Sequence, residues 1–285
     1  MYETILVGFD ESLSSKAAVI EASNWVKKHG GKIILVHAVF FNTEEFGFAP
    51  EQQEKRFKTG EKACIQTIDM ITSEFGIDAQ YLLCEGESPD VIIDVAKGKK
   101  ADLIVLGTFG RKGLRRLLMG SVISDVIGKS PIDVLVVKTP CNKCTGQYKS
   151  ILVPFDGSEF SKKAVARACE LSKIDGSSIT ALYVIPQYEE MVEFFSTSSI
   201  KKRLYQEADK IINAAVSLAS SQGITIQKEI VQGHSADNII EATKKQNNDL
   251  IIIGSHGYSE IDKAIIGSTA ERVIANASCP VLVVR

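Results

Sequence analysis

A glycine pattern that occurs twice constrains this chain more than any other feature. The pattern Gly-x2-Gly-x9-Gly-Ser is formed by Gly107, Gly110, Gly120 and Ser121, and again 147 residues later by Gly254, Gly257, Gly267 and Ser268. At average glycine usage it should arise by chance at a rate on the order of 10⁻⁴ or below per starting position, so two matched copies indicate an internal repeat. Each copy follows a short apolar run, which predicts a buried strand that leads into a glycine-rich loop.

The repeat extends over both halves of the chain. Residues 2–10 match residues 148–156, and the closing segment 134–138 matches 281–285. Each half is long enough to bury a substantial core of its own. The predicted boundaries are 1–138 for the first domain, 139–147 for a linker and 148–285 for the second domain.

Five apolar runs alternate with four helical patterns in each half. Continuous apolar strands separated by helices predict a parallel sheet covered on both faces, so the fold class is α/β with two tandem doubly wound open-sheet domains. Ligands bind such sheets beyond the carboxyl ends of the strands, where the strand order reverses. Serines at the predicted helix starts are expected to be N-caps. Ser12 or Ser14 would cap the first helix, and Ser88 and Ser235 would cap the third helix of the first and second half.

Composition excludes several classes of protein. The formal net charge of −2 gives no general field for polyanions. No stretch approaches the ~18 apolar residues of a membrane span or the pattern of a signal peptide. We therefore expect a soluble cytoplasmic protein that binds neither nucleic acid nor a membrane.

The six cysteines have no equivalents between the halves, which argues against a repeated disulfide or metal framework. The pair Cys141-x2-Cys144 in the linker has the spacing of half a zinc site or of a redox pair. Because no second such pair or paired histidine is near it in sequence, an incidental linker pair is favoured. No metal ligand is assigned.

The repeated glycines suit a phosphate site. Residues without a Cβ let backbone N–H groups approach phosphate oxygens, as Gly107 and Gly110 would. A helix that begins near Gly120 would add unpaired amides, its positive dipole end and the Ser121 hydroxyl. The alternative is that the glycines only form a tight strand-to-helix connection, but the duplicated spacing favours nucleotide binding. The P-loop and Rossmann glycine patterns are absent, which disfavours P-loop ATPases and Rossmann dehydrogenases.

Several charged residues near these loops have two interpretations. Asp10 and Asp156 follow the first strand of each half, where Asp most often forms a turn or caps a helix, but their place at the expected switch point favours a ligand role. His256 is a lone loop histidine, for which a structural role is favoured over catalysis. A basic run either steers phosphates or forms a solvated face, and both interpretations stay open: Arg111, Lys112, Arg115 and Arg116.

With these motifs the sequence resembles a tandem member of the universal stress protein family. The family's ATP-binding members carry Gly-x2-Gly-x9-Gly-Ser/Thr after strand 4, an Asp after strand 1 and a closing Pro-Val-Leu-Val-Val strand. The resemblance covers both halves nearly end to end and implies an adenine nucleotide alpha hydrolase-like fold with strand order 3-2-1-4-5. The first half departs from the pattern at Gly8, where the second half has Pro154, and at Phe109, where the second half has His256.

The resemblance also implies roles for individual residues. Asp10 and Asp156 would contact the adenosine portion of a nucleotide, and the backbone at the end of strand 2, at Ala38 and Val184, would recognise adenine. The implied nucleotide-binding residues are Asp10, Ala38, Gly107, Gly110, Gly120, Ser121 and Val122 in the first half, and Asp156, Val184, Gly254, Gly257, Gly267, Ser268 and Thr269 in the second.

The sequence thus predicts a stress-response regulatory protein that binds ATP or AMP and whose occupancy alters its conformation or partners. Mg²⁺ bound with ATP is left open. A slow ATPase and a nucleotide-independent interaction scaffold are the alternatives, and because no general base stands at a defined place, no catalytic residue is assigned. The outer apolar strands Val134–Val137 and Val281–Val284 predict that the two domains pair through them. A homodimer and unknown protein partners are left open.

Overall fold

The chain folds into two units, Met1–Gln147 and Tyr148–Arg285. The computed structural model describes residues 2–41, 47, 49–108, 119–138, 145–186, 198–258 and 266–285. Cys141, Cys144, Gly110, Phe109 and the four basic residues after Gly110 lie outside these ranges, so the boundaries of the linker stay a prediction. None of the helices within these ranges is long and apolar enough to cross a membrane.

In the first unit strands and helices alternate, as the sequence predicted. The elements are β1 Thr4–Gly8, α1 Leu13–His29, β2 Lys32–Val39, α2 Pro50–Met70, β3 Ala79–Glu85, α3 Ser88–Lys99, β4 Leu103–Gly107, α4 Ser121–Lys129 and β5 Asp133–Val137. Helix α2 continues into a π-helical turn, Ile71–Phe75, and ends at Gly76, whose φ of 69° is left-handed.

The second unit repeats this order among its described residues. Its elements are β6 Ser150–Pro154, α5 Glu159–Asp175, β7 Ser178–Pro186, α6 Ser198–Ser221, β8 Gln227–Gly233, α7 Ser235–Gln246, β9 Leu250–Gly254, α8 Ser268–Asn276 and β10 Val281–Val284.

The sheet topology confirms the predicted fold class. The strand order is β3-β2-β1-β4-β5 in the first unit and β8-β7-β6-β9-β10 in the second. Neighbouring strands within each unit are parallel, with Ile5 opposite Leu103 and Ile151 opposite Leu250 at the central pairs. Helices cover the sheet, which accounts for the nearly complete burial of the central strands β1, β4, β6 and β9. In each unit the order therefore reverses at the carboxyl ends of the first and fourth strands.

Helix caps follow the prediction at α1 but not at α3 and α7. Ser12 is the N-cap of α1, and its Oγ accepts from the N–H of Ser15 at 3.2 Å. The prediction that Ser88 and Ser235 are N-caps is wrong, because each is the first residue inside its helix. The N-cap needs an extended backbone, which Glu87 and His234 supply at ψ of 132° and 124°.

Candidate functional site

The carboxyl ends of β1, β2 and β4 open into a cleft of about 1150 Å³ in the first unit. This volume lies slightly above the roughly 300–1,000 Å³ common for small-molecule sites. Six of the seven residues predicted in this half line the cleft: Asp10, Ala38, Gly107, Gly120, Ser121 and Val122. The seventh, Gly110, lies outside the described residues.

The loop after β1 holds Asp10 in the lining of this cleft. One oxygen of its carboxylate, Oδ1, accepts hydrogen bonds from the N–H of Ser12 at 3.1 Å and from the Ser12 hydroxyl at 2.6 Å. In the second unit, Oδ1 of Asp156 accepts the same two bonds from Ser158 at 2.9 and 2.6 Å. The turn role considered for both aspartates is therefore present, and it fixes each carboxylate in place. Their ligand role stays a prediction.

The first glycine of the motif is required by packing. A Cβ on Gly107 would lie 2.3 Å from the carbonyl carbon of Ser14 and 2.5 Å from the nitrogen of Ser15, both in α1. A Cβ on Gly254 would lie 2.7 Å from the Cβ of Phe160 in α5. Helix α1 thus packs against the end of β4 at a distance that only glycine permits, and α5 does so against β9.

The third glycine of the motif forms the helix N-terminus that the sequence predicted. Gly120 is the N-cap of α4, with φ of −64° and ψ of 142°, and no side chain caps the helix. Gly267 has the same place and conformation before α8. In the first unit the helix begins at the cleft wall with Ser121 and Val122. An N-terminus without a side-chain cap presents amide donors and a positive dipole end, which favours anions.

The second glycine of the motif lies within the described residues only in the second unit, as Gly257. A Cβ on Gly257 would lie 2.9 Å from Oδ2 of Asp156, so the glycine loop closes against that carboxylate. The hydroxyl of Tyr258 donates to the carbonyl of Gly157 at 3.1 Å and joins the same two loops. Val184 lies in β7, the strand beside β6. The structure therefore brings the predicted residues of this half to one end of the sheet.

His256 is buried in this loop and packs as a structural residue would. It is 5% exposed, its Nδ1 is 2.8 Å from the Ser255 hydroxyl, and its ring centroid is 5.1 Å from that of Phe160. Its other ring nitrogen, Nε2, is buried and has no hydrogen-bond partner among the described residues. The structural role favoured from the sequence stays a prediction, which the burial of His256 and its packing against Phe160 support.

Sequence analysis missed several residues that line the first cleft. Phe40 follows β2, Lys55, Arg56 and Thr59 lie on α2, and Glu87 precedes α3. No motif in the sequence marks these residues. Whether a residue on a helix reaches the cleft depends on how that helix packs, which the sequence pattern does not show.

His37, in β2 beside Ala38, was also missed. It is 8% exposed and lines the cleft. Burial lowers its pKa from the ordinary 6.5, against smaller raising effects of the Phe9 backbone hydrogen bond and of the Asp10 charge. Burial therefore disfavours the imidazolium form of His37 in this wall of the cleft.

This burial predicts a pH dependence of stability. Because the pKa of His37 is lower in the folded state than in the unfolded state, the unfolded state binds the proton more readily. Its contribution to stability is present above pH 6.5 and is lost as the pH falls through 6.5 toward the folded pKa. Urea unfolding from pH 8 to 5 should show a weaker acid loss in His37→Gln than in the wild type. Equal pH slopes in the two proteins would contradict this assignment.

This sequence is similar to proteins of one known family. The model of the universal stress protein family matches residues 1–138 and 147–285. The chain belongs to the universal stress protein family. A universal stress protein of Methanocaldococcus jannaschii is 34% identical over 140 residues, which cover 48% of this chain and 82% of that protein.

Relatives with the same two-domain organisation match the whole chain. A universal stress protein of Mycolicibacterium smegmatis is 25% identical over 294 residues, which cover 99% of this chain and 96% of that protein. A crystal structure of a universal stress protein from Archaeoglobus fulgidus has a TM-score of 0.75 at 20% identity and covers 99% of this chain and 96% of that one. The tandem architecture of the universal stress protein domain in this chain is thus shared with these relatives.

Proposed function

We propose that this universal stress protein binds an adenine nucleotide, ATP or AMP, at the carboxyl ends of the strands in each unit, and that occupancy alters its conformation or its partners in a stress response. The observation that carries the proposal is the first unit's cleft, in which Asp10, Ala38 and the uncapped N-terminus of α4 line one cavity. A cytoplasmic location and Mg²⁺ bound with ATP belong to the same proposal.

The cleft divides into two ends with different chemistry. Strands β2 and β4 flank β1 on either side, and neighbouring strands lie about 4.8 Å apart, so the two outer strand ends are about 10 Å apart. The α4 end offers backbone amides to phosphate oxygens. The β2 end offers the backbone at Ala38 and the side chain of Phe40 to a base. An adenosine nucleotide laid across the end of β1 would use both ends.

Mass spectrometry of the purified, denatured protein and a thermal titration test this proposal together. Co-purified ATP or AMP supports nucleotide binding, ADP that accumulates on incubation supports the ATPase alternative, and the absence of nucleotide supports the scaffold. A ligand at one hundred times its Kd adds about 2.7 kcal/mol, and each kcal/mol raises the melting temperature by roughly 2–4 °C. A flat titration at millimolar ATP and Mg²⁺, with AMP equally silent, contradicts the proposal.

The association of the two domains is a second, independent proposal. Within its own unit, β5 and β10 are each the last strand of the order, and an uncovered apolar edge strand favours pairing with another strand. We expect a chain cut within residues 139–147 to remain associated in size-exclusion chromatography. Val136→Lys combined with Val283→Lys should separate the halves of the cut protein. Dissociation of the cut wild-type chain would refute the pairing.

A further inference from the structure

Helix α2 brings two cations to the wall of the first cleft that lies on the side of β2. Lys55 and Arg56 both line the cleft, together with Thr59 one turn further on. The helix packs on β2 and β3, whereas α4 follows β4 in the chain and packs against α3. Strands β2 and β4 are separated by β1 and so lie about 10 Å apart, which places the cations and the amides that suit a 5′-phosphate at different ends of the cleft.

A buried side chain positions one of these cations. Gln53 is 6% exposed, and its Nε2 donates to Oε1 of Glu85, at the end of β3, at 3.1 Å. Its Oε1 in turn accepts from Nη1 of Arg56 at 3.3 Å. The guanidinium is thus tied through a buried amide to the end of the sheet and does not extend freely into solvent. A positioned guanidinium suits recognition of a phosphate, because less side-chain entropy is lost on binding.

The charges of the cleft are grouped by position. Its described lining also includes Asp10 and Glu11 after β1 and Glu87 before α3, so the cleft as a whole is not a general anion site. In the proposed orientation a second phosphate on the 5′ side stays at the α4 end of the cleft. An anionic group on the adenosine portion would instead lie toward Lys55 and Arg56, where the Coulomb interaction favours it.

We propose that the first unit prefers an adenine nucleotide that carries a second phosphate on the 2′ or 3′ oxygen of its ribose, held by Lys55 and Arg56. This inference rests on the proposed nucleotide binding and specifies the ligand class of that site. The 5′-phosphate occupies the α4 end, the base lies beside Phe40, which is 54% exposed, and the second phosphate accepts hydrogen bonds from α2.

Calorimetry of the full chain with four probes tests the inference: AMP, ADP, adenosine 2′,5′-bisphosphate and adenosine 3′,5′-bisphosphate. ADP is the matched ligand, since it adds the same phosphate at the other end of the molecule. We expect one bisphosphate to bind about tenfold more tightly than AMP, the scale of one charge-assisted hydrogen bond. The gain should shrink as ionic strength rises. The isomer that shows it identifies the oxygen that carries the phosphate.

Variants on one helix assign the gain to its residues. In Lys55→Met and in Arg56→Met the ratio of the AMP Kd to the bisphosphate Kd should fall to about two or below. Lys58→Met is the control, because Lys58 lies on the same helix, is 72% exposed and pairs with Glu54 at 2.6 Å. Its ratio should remain near ten.

The outcomes separate this inference from the proposed function. If AMP binds but neither bisphosphate binds more tightly, or if the gain persists in both Met variants, the inference fails and nucleotide binding stands. A gain that ADP matches and that Lys55→Met leaves unchanged also overturns it, since charge alone would then explain the preference. If none of the four probes binds, both proposals fail.

Discussion

The variant Gly107→Ala is expected to lose about 3 kcal/mol or more of unfolding free energy, because the added Cβ would collide with the backbone of α1. The nearest atoms, the Ser14 carbonyl carbon at 2.3 Å and the Ser15 nitrogen at 2.5 Å, lie inside the helix and move only if the helix moves. At roughly 2–4 °C per kcal/mol, the melting temperature should fall by about 6–12 °C or more.

The same substitution at Gly98 is the control. Gly98 lies in α3, and a Cβ there would meet nothing within 4 Å. Alanine should therefore stabilise the helix by about 0.5–1 kcal/mol. The chain's single tryptophan, Trp25, is buried in α1 and reports unfolding of the first unit by fluorescence. The measurement is made without nucleotide, and equal urea midpoints for the two variants would show that α1 does not need the glycine.

This result would change what the glycine motif means. The sequence argument assigned Gly107 to phosphate approach, yet the contact with α1 explains this glycine without any ligand. Gly120 differs, because its Cβ would lie 3.2 Å from the Thr108 carbonyl oxygen, a less severe contact than that at Gly107. Its place as N-cap of a helix without a side-chain cap suits an anion. One motif therefore combines a packing residue with residues suited to a ligand.

The fold could be predicted from the sequence because each of its signals is local. Apolar runs such as Leu103–Gly107 mark buried strands, and the repeat shows each signal twice. Strand order is not a local property, and it came from the resemblance of the glycine motif to a known family. The N-caps Glu87 and His234 were missed because an extended backbone, and not a serine side chain, decides where those helices begin.

The side of the cleft formed by α2 could not be predicted. Other charged residues surround Lys55 and Arg56 in the sequence, a pattern typical of a solvated helical face. Their approach to the cleft depends on how α2 packs over β2 and on the buried contact between Gln53 and Glu85. Both are contacts between residues far apart in the sequence, and the periodicity of apolar residues does not predict such contacts.

We expect Asp10→Ala to weaken nucleotide binding in the first unit by roughly ten- to more than a hundredfold, equivalent to about 1.5–3 kcal/mol for a lost charged hydrogen bond. Alanine, however, also removes the acceptor for the N–H and hydroxyl of Ser12. A loss of affinity in this variant alone would not distinguish a ligand contact from a disordered turn, so two further variants are needed.

Asp10→Asn and Ser12→Ala separate the two roles. Asparagine keeps an oxygen that can accept from Ser12 and loses the charge, so it should preserve the turn and still lose most of the affinity. Ser12→Ala keeps the carboxylate and its hydrogen bond from the N–H of residue 12, and it removes the N-cap of α1, which should cost about 1 kcal/mol of stability but less affinity than Asp10→Asn does. Calorimetric Kd values paired with urea midpoints measure both effects. If Asp10→Asn binds like the wild type while Ser12→Ala loses affinity, the aspartate serves only the turn, and the adenosine portion must be recognised by other groups of the cleft.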